Sequence, residues 1–180
     1  ALRADALRPN TERQSIIGSV WKRKALILLR SSAPKKDAVR EALMRARDAY
    51  ARGEADPRGA GWNPYARINR LQLDAVLGER AALEVDARAC AAAARARFEQ
   101  RFEFWDAMMV AEATLAGWLA GAALPAGHSA VDLLHQAYRD TLETVAASPR
   151  ARDSVFTQLG LLADFLRLQG GKERVAQATV

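Results

Sequence analysis

The sequence has few of the side chains that carry out chemistry or bind metals, since its 180 residues include one cysteine and two histidines. With Cys90 alone, the chain can form no internal disulfide and no cysteine-based metal cluster. We expect Cys90 to be a small core residue, and we expect His128 and His135 to lie at the surface or at a helix end. The sequence therefore predicts no metal site and no cofactor.

Sequence signatures of catalysis are missing as well. The chain contains neither a G-x-S-x-G nucleophile turn nor a G-x-x-x-x-G-K-[ST] phosphate loop. Acidic pairs occur, such as Asp37 with Glu41, but their four-residue spacing is typical of a solvated helix face. We therefore expect a protein that is not an enzyme.

Long apolar runs are absent too. The sequence has no apolar stretch long enough to span a bilayer, and its first residues lack the apolar segment of a signal peptide. These absences favour a cytoplasmic protein without a membrane segment. The chain begins at Ala1 rather than Met. We interpret residues 1–180 as one helical-repeat domain of a larger multidomain protein, with a structured core over residues 10–168.

Signals for β-strands are equally scarce. No Asn-Gly or Asp-Gly hairpin turn occurs, and no segment alternates regularly between apolar and polar residues. Ala, Leu, Arg and Glu are abundant, and these residues favour helices. The chain therefore predicts an all-α fold of about seven helices in antiparallel hairpins, at roughly residues 11–30, 35–52, 64–78, 80–100, 103–120, 129–147 and 151–168.

The segment TERQSIIGSVWKRKA, which begins at Thr11 as the expected N-cap, carries the clearest pattern in the chain. Gly18, Trp21 and Ala25 share one helical face, because they are spaced by three and then four residues. A glycine inside a helix costs about 1 kcal/mol relative to alanine and is usually kept where another helix comes close. The pattern has the form of the L-G-x-x-Y-x-x-x-A core of a tetratricopeptide repeat. We expect Gly18 to pack on the second helix, near Ala42 or Ala46.

The charge distribution leaves the partner open. The net charge is +6, but acidic residues are interleaved with the basic ones. An RNA-binding helical repeat would need basic residues on successive hairpins, and the last hairpins lack them. A dedicated nucleic-acid surface is therefore not favoured, whereas an acidic peptide or a small anion remains compatible with the charge.

The first hairpin supplies the candidate binding surface. In the repeat register, the concave side of the stack receives Glu12, Ser15, Ser19, Lys22 and Arg23. Ser19, Lys22 and Arg23 place a hydroxyl and two cations within about one helical turn, which suits an anion. The surface continues on the third helix and the segment before it, with Trp62, Tyr65, Arg67, Asn69 and Arg70.

Two further expectations concern this surface. Trp62 either closes the groove or covers an exposed edge of the core. Lys22 and Arg23 are predicted to be surface residues, so that replacing both by Glu abolishes binding and leaves the fold intact.

Five segments in a fixed order resemble one family. They are ERQSIIGSVWKRKA, EALMRARDAYARG, NPYARIN, FWDAMMVAEATL and DSVFTQLGLL. The chain is similar to bacterial tetratricopeptide-repeat proteins, and it resembles the TRAFs-binding region of the apoptosis-signal-regulating MAP kinase kinase kinases. Asn69 and Glu112-Ala113 match motifs of that region, whereas Pro64-Tyr65 has the reverse of the order found there.

This resemblance implies a regulatory module inside a larger signalling or defence protein. Bacterial relatives of this kind are sensor or adaptor parts, some of them joined to caspase-like proteases. We therefore expect a protein-interaction module that binds a partner or a fused effector domain through its concave face. The alternative is a sensor that binds a nucleotide or another small anion in the basic groove.

Overall fold

The structure, a computed structural model, describes residues 10–54, 62–79, 83–122, 127 and 129–168. Over these residues it contains seven α-helices and no strand, so the predicted all-α fold is confirmed. The helices are α1 (Thr11–Leu29), α2 (Lys36–Gly53), α3 (Tyr65–Leu77), α4 (Leu83–Arg101), α5 (Phe104–Leu119), α6 (Ala130–Thr144) and α7 (Pro149–Leu168).

Local chemistry accounts for several helix ends. Asn10, rather than Thr11, is the N-cap of α1, because its Oδ1 accepts a hydrogen bond from the Glu12 amide at 2.8 Å. Gly78 follows α3 with φ 88°, a left-handed conformation that glycine adopts without strain. Phe102 turns the chain between α4 and α5 with φ 53°. In the turn between these helices, a residue other than glycine therefore adopts the left-handed conformation.

Two hairpins form the frame of the fold. The Arg52 Nε near the end of α2 donates to Gln14 Oε1 near the start of α1 at 3.4 Å, so these two helices are antiparallel. In the same way, the Arg97 Nε near the end of α4 donates to Asp106 Oδ1 at the start of α5 at 3.0 Å. These pairs make the most extensive helix contacts in the described chain. Hairpin packing, as predicted, is therefore the basis of the architecture.

Helix α3 lies between the two hairpins and is the most enclosed element. Every residue from Leu71 to Leu77 is buried. One apolar cluster joins α3 to residues of α1, α2, α5, α6 and α7, and a second cluster joins α3 to α4 and α5. The core is thus continuous through α3, and polar side chains on α3 are held at the centre of the molecule.

Helix α7 returns to the beginning of the chain. Val155, Leu162 and Phe165 of α7 belong to the same apolar cluster as Ala25 of α1. The Asp164 carboxylate also forms a 2.7 Å ion pair with the guanidinium that follows α1, at Arg30. α7 therefore lies across the side of α1 that the sequence analysis assigns to the concave surface.

The packing role of Gly18 is confirmed, but with a different neighbour. A Cβ placed on Gly18 would lie 2.6 Å from Cε2 of Tyr50, so the nearest group is this ring rather than Ala42 or Ala46. Tyr50 is fully buried, and its hydroxyl lies 3.0 Å from the Ser19 Oγ. The glycine thus makes room for a large side chain that is held at both its ring and its hydroxyl.

Substituting Gly18 by Ala tests this contact. The Gly18→Ala variant is expected to lose stability by about 1–3 kcal/mol through overpacking. Gly160→Ala is the matched control, because no atom lies within 4 Å of its Cβ position in α7. The control is expected to gain about 0.5–1 kcal/mol from the higher helix propensity of alanine. Urea denaturation of both variants measures the difference, and equal stabilities would show that the Tyr50 ring does not press on Gly18.

Candidate functional site

A cavity of about 500 Å³ opens among α1, α3, α5 and α7. Four of the polar side chains that line it are buried or half-buried, and each comes from a different helix: Lys22, Asn69, Glu112 and Gln158. The exposed charged and aromatic side chains that line it are Arg23, Arg101, Glu103 and Trp105. The cavity therefore combines a polar interior with a charged and aromatic opening.

The ammonium group of Lys22 is the centre of the buried polar network. Its Nζ donates to Asn69 Oδ1 at 2.7 Å and to Gln158 Oε1 at 2.9 Å. The nitrogen also lies 5.4 Å from the centre of the Tyr50 ring. One side chain of α1 thus connects α2, α3 and α7.

The acceptors of Lys22 are themselves held in place. The Asn69 amide nitrogen donates to the Tyr65 carbonyl at 3.0 Å. The Gln158 amide nitrogen donates to Gln72 Oε1 at 3.0 Å, and the Gln72 amide nitrogen reaches the backbone carbonyl of residue 112 at 3.4 Å. Because each amide is fixed by a second hydrogen bond, both oxygens are directed at the Lys22 amine.

Glu112 of α5 is a buried carboxyl group in the same cavity. Burial raises the pKa of Glu112 to about 7, and the Lys22 cation opposes that rise. Burial also lowers the pKa of Lys22 to about 8, and the Glu112 carboxylate opposes that fall. The hydroxyls of Tyr50, Tyr65 and Tyr138 belong to the surroundings of this carboxylate, and burial raises the pKa of each. Two ionisable groups therefore change charge near neutral pH inside one cavity.

Such a pair contributes little to the stability of the fold. Removing two charged groups from water costs several kcal/mol, which their mutual attraction often fails to recover. Replacement of buried ion pairs by apolar side chains is accordingly often neutral or stabilising. Ionisable groups with shifted pKa values in a cleft are, by contrast, typical of functional sites. The position of Lys22 and Glu112 thus marks the cavity as the candidate site.

Among the described residues, Arg23 is the one cation at the opening of the cavity that forms no ion pair. Arg97 pairs with Asp106 at 3.0 Å, and Arg101 pairs with Glu103 at 2.5 Å. Arg23 is exposed and forms no ion pair with any carboxylate of the described residues. An anionic group that enters the opening would therefore meet a guanidinium that is not already neutralised.

Half of the predicted binding residues converge on the cavity. Ser19, Lys22, Arg23, Tyr65 and Asn69 all line it, so the structure brings together the predicted parts of α1 and α3. The structure corrects the burial of one of them, because Lys22 is only 6 % exposed and is not a surface residue. Replacing Lys22 by Glu would therefore disturb the core as well as the cavity, contrary to the expectation of an intact fold.

The other predicted residues lie elsewhere. Glu12 and Ser15 do not line the cavity; Glu12 is exposed in the first turn of α1, and the Ser15 hydroxyl is buried with no hydrogen-bond partner among the described atoms. Neither residue belongs to this cavity, and their assignment to a binding surface stays a prediction.

Arg67 and Arg70 are also outside the cavity. The Arg67 Nε donates to Glu54 Oε2 at 2.9 Å, and Arg70 pairs with Glu54 and, at 2.6 Å, with Asp74. These carboxylates neutralise both guanidinium groups, so the two arginines add no free positive charge to this cavity, and their role in binding stays a prediction. Trp62 packs on the Arg67 guanidinium at 5.3 Å and covers the edge of the second core cluster, which agrees with the second of its two expected roles.

Several residues of the site were not predicted. Glu112, Trp105 and Gln158 come from α5 and α7, which are distant in sequence from the first hairpin. Glu112 had a usable signal, because it is the one acidic residue in the otherwise apolar run AMMVAEATLAGWLA. Gln158 had none, since its importance depends on where α7 crosses the molecule.

The remaining expectations concern groups outside the cavity. Cys90 is buried, and burial raises the pKa of its thiol to about 12, so the predicted core role is confirmed. Within the described residues, no cluster of three metal-ligating side chains occurs, and His128 lies outside those residues. None of the described helices combines the length and the hydropathy needed to cross a membrane.

Comparison with known proteins bears on the first three helices. Residues 1–74 match the family model described as Tetratricopeptide Repeats-Sensor. The match includes α1, α2 and most of α3, and thus Lys22 and Asn69, but it ends before the helices that carry Glu112 and Gln158. It confirms the similarity to tetratricopeptide repeats, while the likeness to the TRAFs-binding region stays a prediction. No curated protein and no solved structure matches the chain.

The pH dependence of stability tests the burial of Glu112. Folding raises the pKa of Glu112 from 4.5 to about 7. The folded state is therefore favoured most below pH 4.5, where the carboxyl group is protonated in both states, and this advantage is lost as the pH rises towards 7. The free energy of unfolding of the wild type should therefore fall by about 1–3 kcal/mol relative to Glu112→Gln over this interval. Chemical denaturation of both proteins at pH 5 and pH 7.5 measures this change. A difference that stays constant with pH would show that the carboxyl group is solvated.

Proposed function

We propose that the chain is a non-catalytic sensor module that binds a small anionic ligand, such as a nucleotide, in the cavity among α1, α3, α5 and α7. The bound state is passed to a protein partner or to an effector domain of the same larger cytoplasmic protein, which acts in signalling or defence. The description of the matched family as a sensor supports this role.

The observation that carries the proposal is the buried pair of Lys22 and Glu112 on the wall of a cavity. Burying two ionisable side chains costs free energy that apolar side chains of similar volume would not cost. A ligand that forms hydrogen bonds with these groups would supply the partners that water supplies in the unfolded chain. The polar interior is thus better suited to binding a ligand than to stabilising the fold.

The lining indicates the chemistry of the ligand. Arg23 at the opening offers a guanidinium for a phosphate or carboxylate. Trp105 is 46 % exposed beside it and presents a ring on which a planar group can stack. Asn69 and Gln158 bring amide groups into the same space. An anionic ligand with a planar, hydrogen-bonding part fits this combination.

The position of α7 favours a sensor over a module that binds an extended peptide. α7 covers the side of α1 on which a peptide would bind in the groove of a helical repeat. The cavity lies between α7 and α1. The contacts of Gln158 with Lys22 and Gln72 also make α7 part of the binding site. A ligand that engages these groups would change how firmly α7 is held, and a partner that contacts α7 would detect the change.

Titration calorimetry with AMP, ADP and pyrophosphate as probes tests the anion site. At least one probe should bind to the wild type, and Arg23→Ala should weaken that binding about tenfold, as expected for loss of one charge-assisted contact. Arg45→Ala is the matched control, because Arg45 lies outside the cavity against Trp21 and should leave the affinity unchanged. Binding should also weaken as salt is added.

Hydrogen exchange of the amides in α7 tests the sensor role. Exchange should slow when the bound probe is present and should not change for Arg23→Ala at the same probe concentration. Binding without any change in α7 would argue against transmission through this helix. Failure of all three probes to bind at millimolar concentration would contradict the proposed anionic ligand.

A further inference from the structure

We propose that Lys22 captures a ligand that carries an aldehyde or ketone group by forming an imine inside the cavity, with Glu112 as the acid that removes the carbonyl oxygen as water. This inference rests on the proposed function, because it adds a reactive group to the ligand of the same site. It would make the sensor respond to a carbonyl compound through a reversible covalent bond.

The hydrogen bonds of Lys22 suit an amine that reacts as a nucleophile. A neutral primary amine has two N–H bonds and one lone pair. Asn69 Oδ1 and Gln158 Oε1, at 2.7 and 2.9 Å from Nζ, accept both N–H bonds. The lone pair is then the one remaining valence of the nitrogen and is available to a carbonyl carbon. The two amides therefore orient the amine without using the electrons that attack.

The surroundings also favour the neutral amine. The Lys22 side chain is buried, and no carboxylate of the described residues forms an ion pair with its ammonium group. A lysine that is removed from water and lacks a close counter-ion releases its proton more readily, which is how proteins activate lysines for imine formation. The pKa of Lys22, lowered to about 8 by burial, agrees with this environment.

Glu112 is placed to handle the protons of the reaction. It lines the same cavity and is buried, and it interacts electrostatically with Lys22. A carboxyl group that is partly protonated near neutral pH can both donate and accept a proton in one sequence of steps. It can also balance the charge of a protonated imine after the reaction.

The steps balance without any further reactant. The Nζ lone pair attacks the carbonyl carbon, the carbonyl electron pair moves to oxygen, and that oxygen takes the proton of Glu112. The nitrogen then loses one proton to the Glu112 carboxylate, which passes it to the hydroxyl group. The C–O bond breaks, water leaves, and the nitrogen lone pair forms the C=N bond. The products are a protonated imine, a Glu112 carboxylate and one water molecule, and addition of water reverses the reaction.

The opening of the cavity indicates which carbonyl compounds would react. Arg23 attracts an anionic group, and Trp105 offers a ring surface for a planar one. A small aldehyde with a phosphate or carboxylate group would be held with its carbonyl towards the interior. The ligand class is therefore an anionic aldehyde or ketone rather than an apolar one.

Trapping with borohydride tests the imine. The full chain is incubated with pyridoxal 5′-phosphate or with the smaller glyoxylate, the imine is reduced, and the modified lysines are located by peptide mass spectrometry. Lys24 and Lys35 are exposed and serve as internal references. At probe concentrations far below those that label surface lysines, the label on Lys22 should exceed that on either reference by about tenfold or more.

Two variants separate the reactive role from a structural one. Glu112→Gln should slow labelling of Lys22 by about tenfold or more while leaving Lys24 and Lys35 unchanged, because an amide cannot donate the proton. Lys22→Arg keeps a cation in the cavity and should remove the fast-labelling site only. Circular dichroism of each variant under the labelling conditions must match that of the wild type, because an unfolded fraction would itself lower the ratio of Lys22 to reference labelling.

The outcomes also distinguish this inference from the proposed function. If a nucleotide probe binds but neither aldehyde labels Lys22 faster than Lys24, the imine is wrong and the anion sensor stands. If Lys22 is labelled selectively and no nucleotide or pyrophosphate binds, the carbonyl capture stands and the proposed nucleotide ligand is wrong. Equal labelling of Lys22 in the wild type and Glu112→Gln overturns the role of the carboxyl group.

Discussion

The amine of Lys22 holds together parts of the chain that are far apart in sequence. Its hydrogen bonds to Asn69 and Gln158 tie the first helix to the third and to the last. Because these bonds are buried, the loss of one partner would leave a polar group without a replacement in water. Together with the apolar contacts of α7 and the Arg30–Asp164 ion pair, this junction holds α7 over the first hairpin and shapes the cavity. The candidate site is therefore also the point where the two ends of the described chain meet.

Polar side chains that are buried at this junction lower the stability of the fold. The apolar clusters on both sides of α3 supply the main driving force for folding, and the side chains of Lys22 and Glu112 are buried in the same fold. The same burial that makes the pair unfavourable for the fold moves the pKa values of both groups towards neutrality. The proposed binding and the proposed reactivity thus have one physical basis, which is the removal of these two side chains from solvent.

Sequence patterns located the parts of the site on the first and third helices but not those on α5 and α7. Gly18 was recognised as a packing position from its spacing, and Ser19, Lys22 and Arg23 were recognised as neighbours of the cavity. The same periodicity led to the prediction that Lys22 is a surface residue, because a lysine side chain is expected in water unless its buried partners are known. The sequence likewise does not reveal the ion pairs of Arg67 and Arg70. Their neutralisation depends on Glu54, Asp74 and Asp86, which only the folded chain brings to them.

Local chemistry in the sequence by itself determined the helices, since helix-forming residues, the glycine that ends α3 at Gly78, and apolar spacing act within a few turns. It also determined the hairpin of α1 with α2, because Gly18 and the short connection act nearby. Only the tertiary structure decided that α7 returns to α1, that Glu112 and Gln158 face Lys22, and that a cavity remains among them. Those contacts join residues up to 136 positions apart, and their energies depend on burial, which no local segment of the sequence specifies.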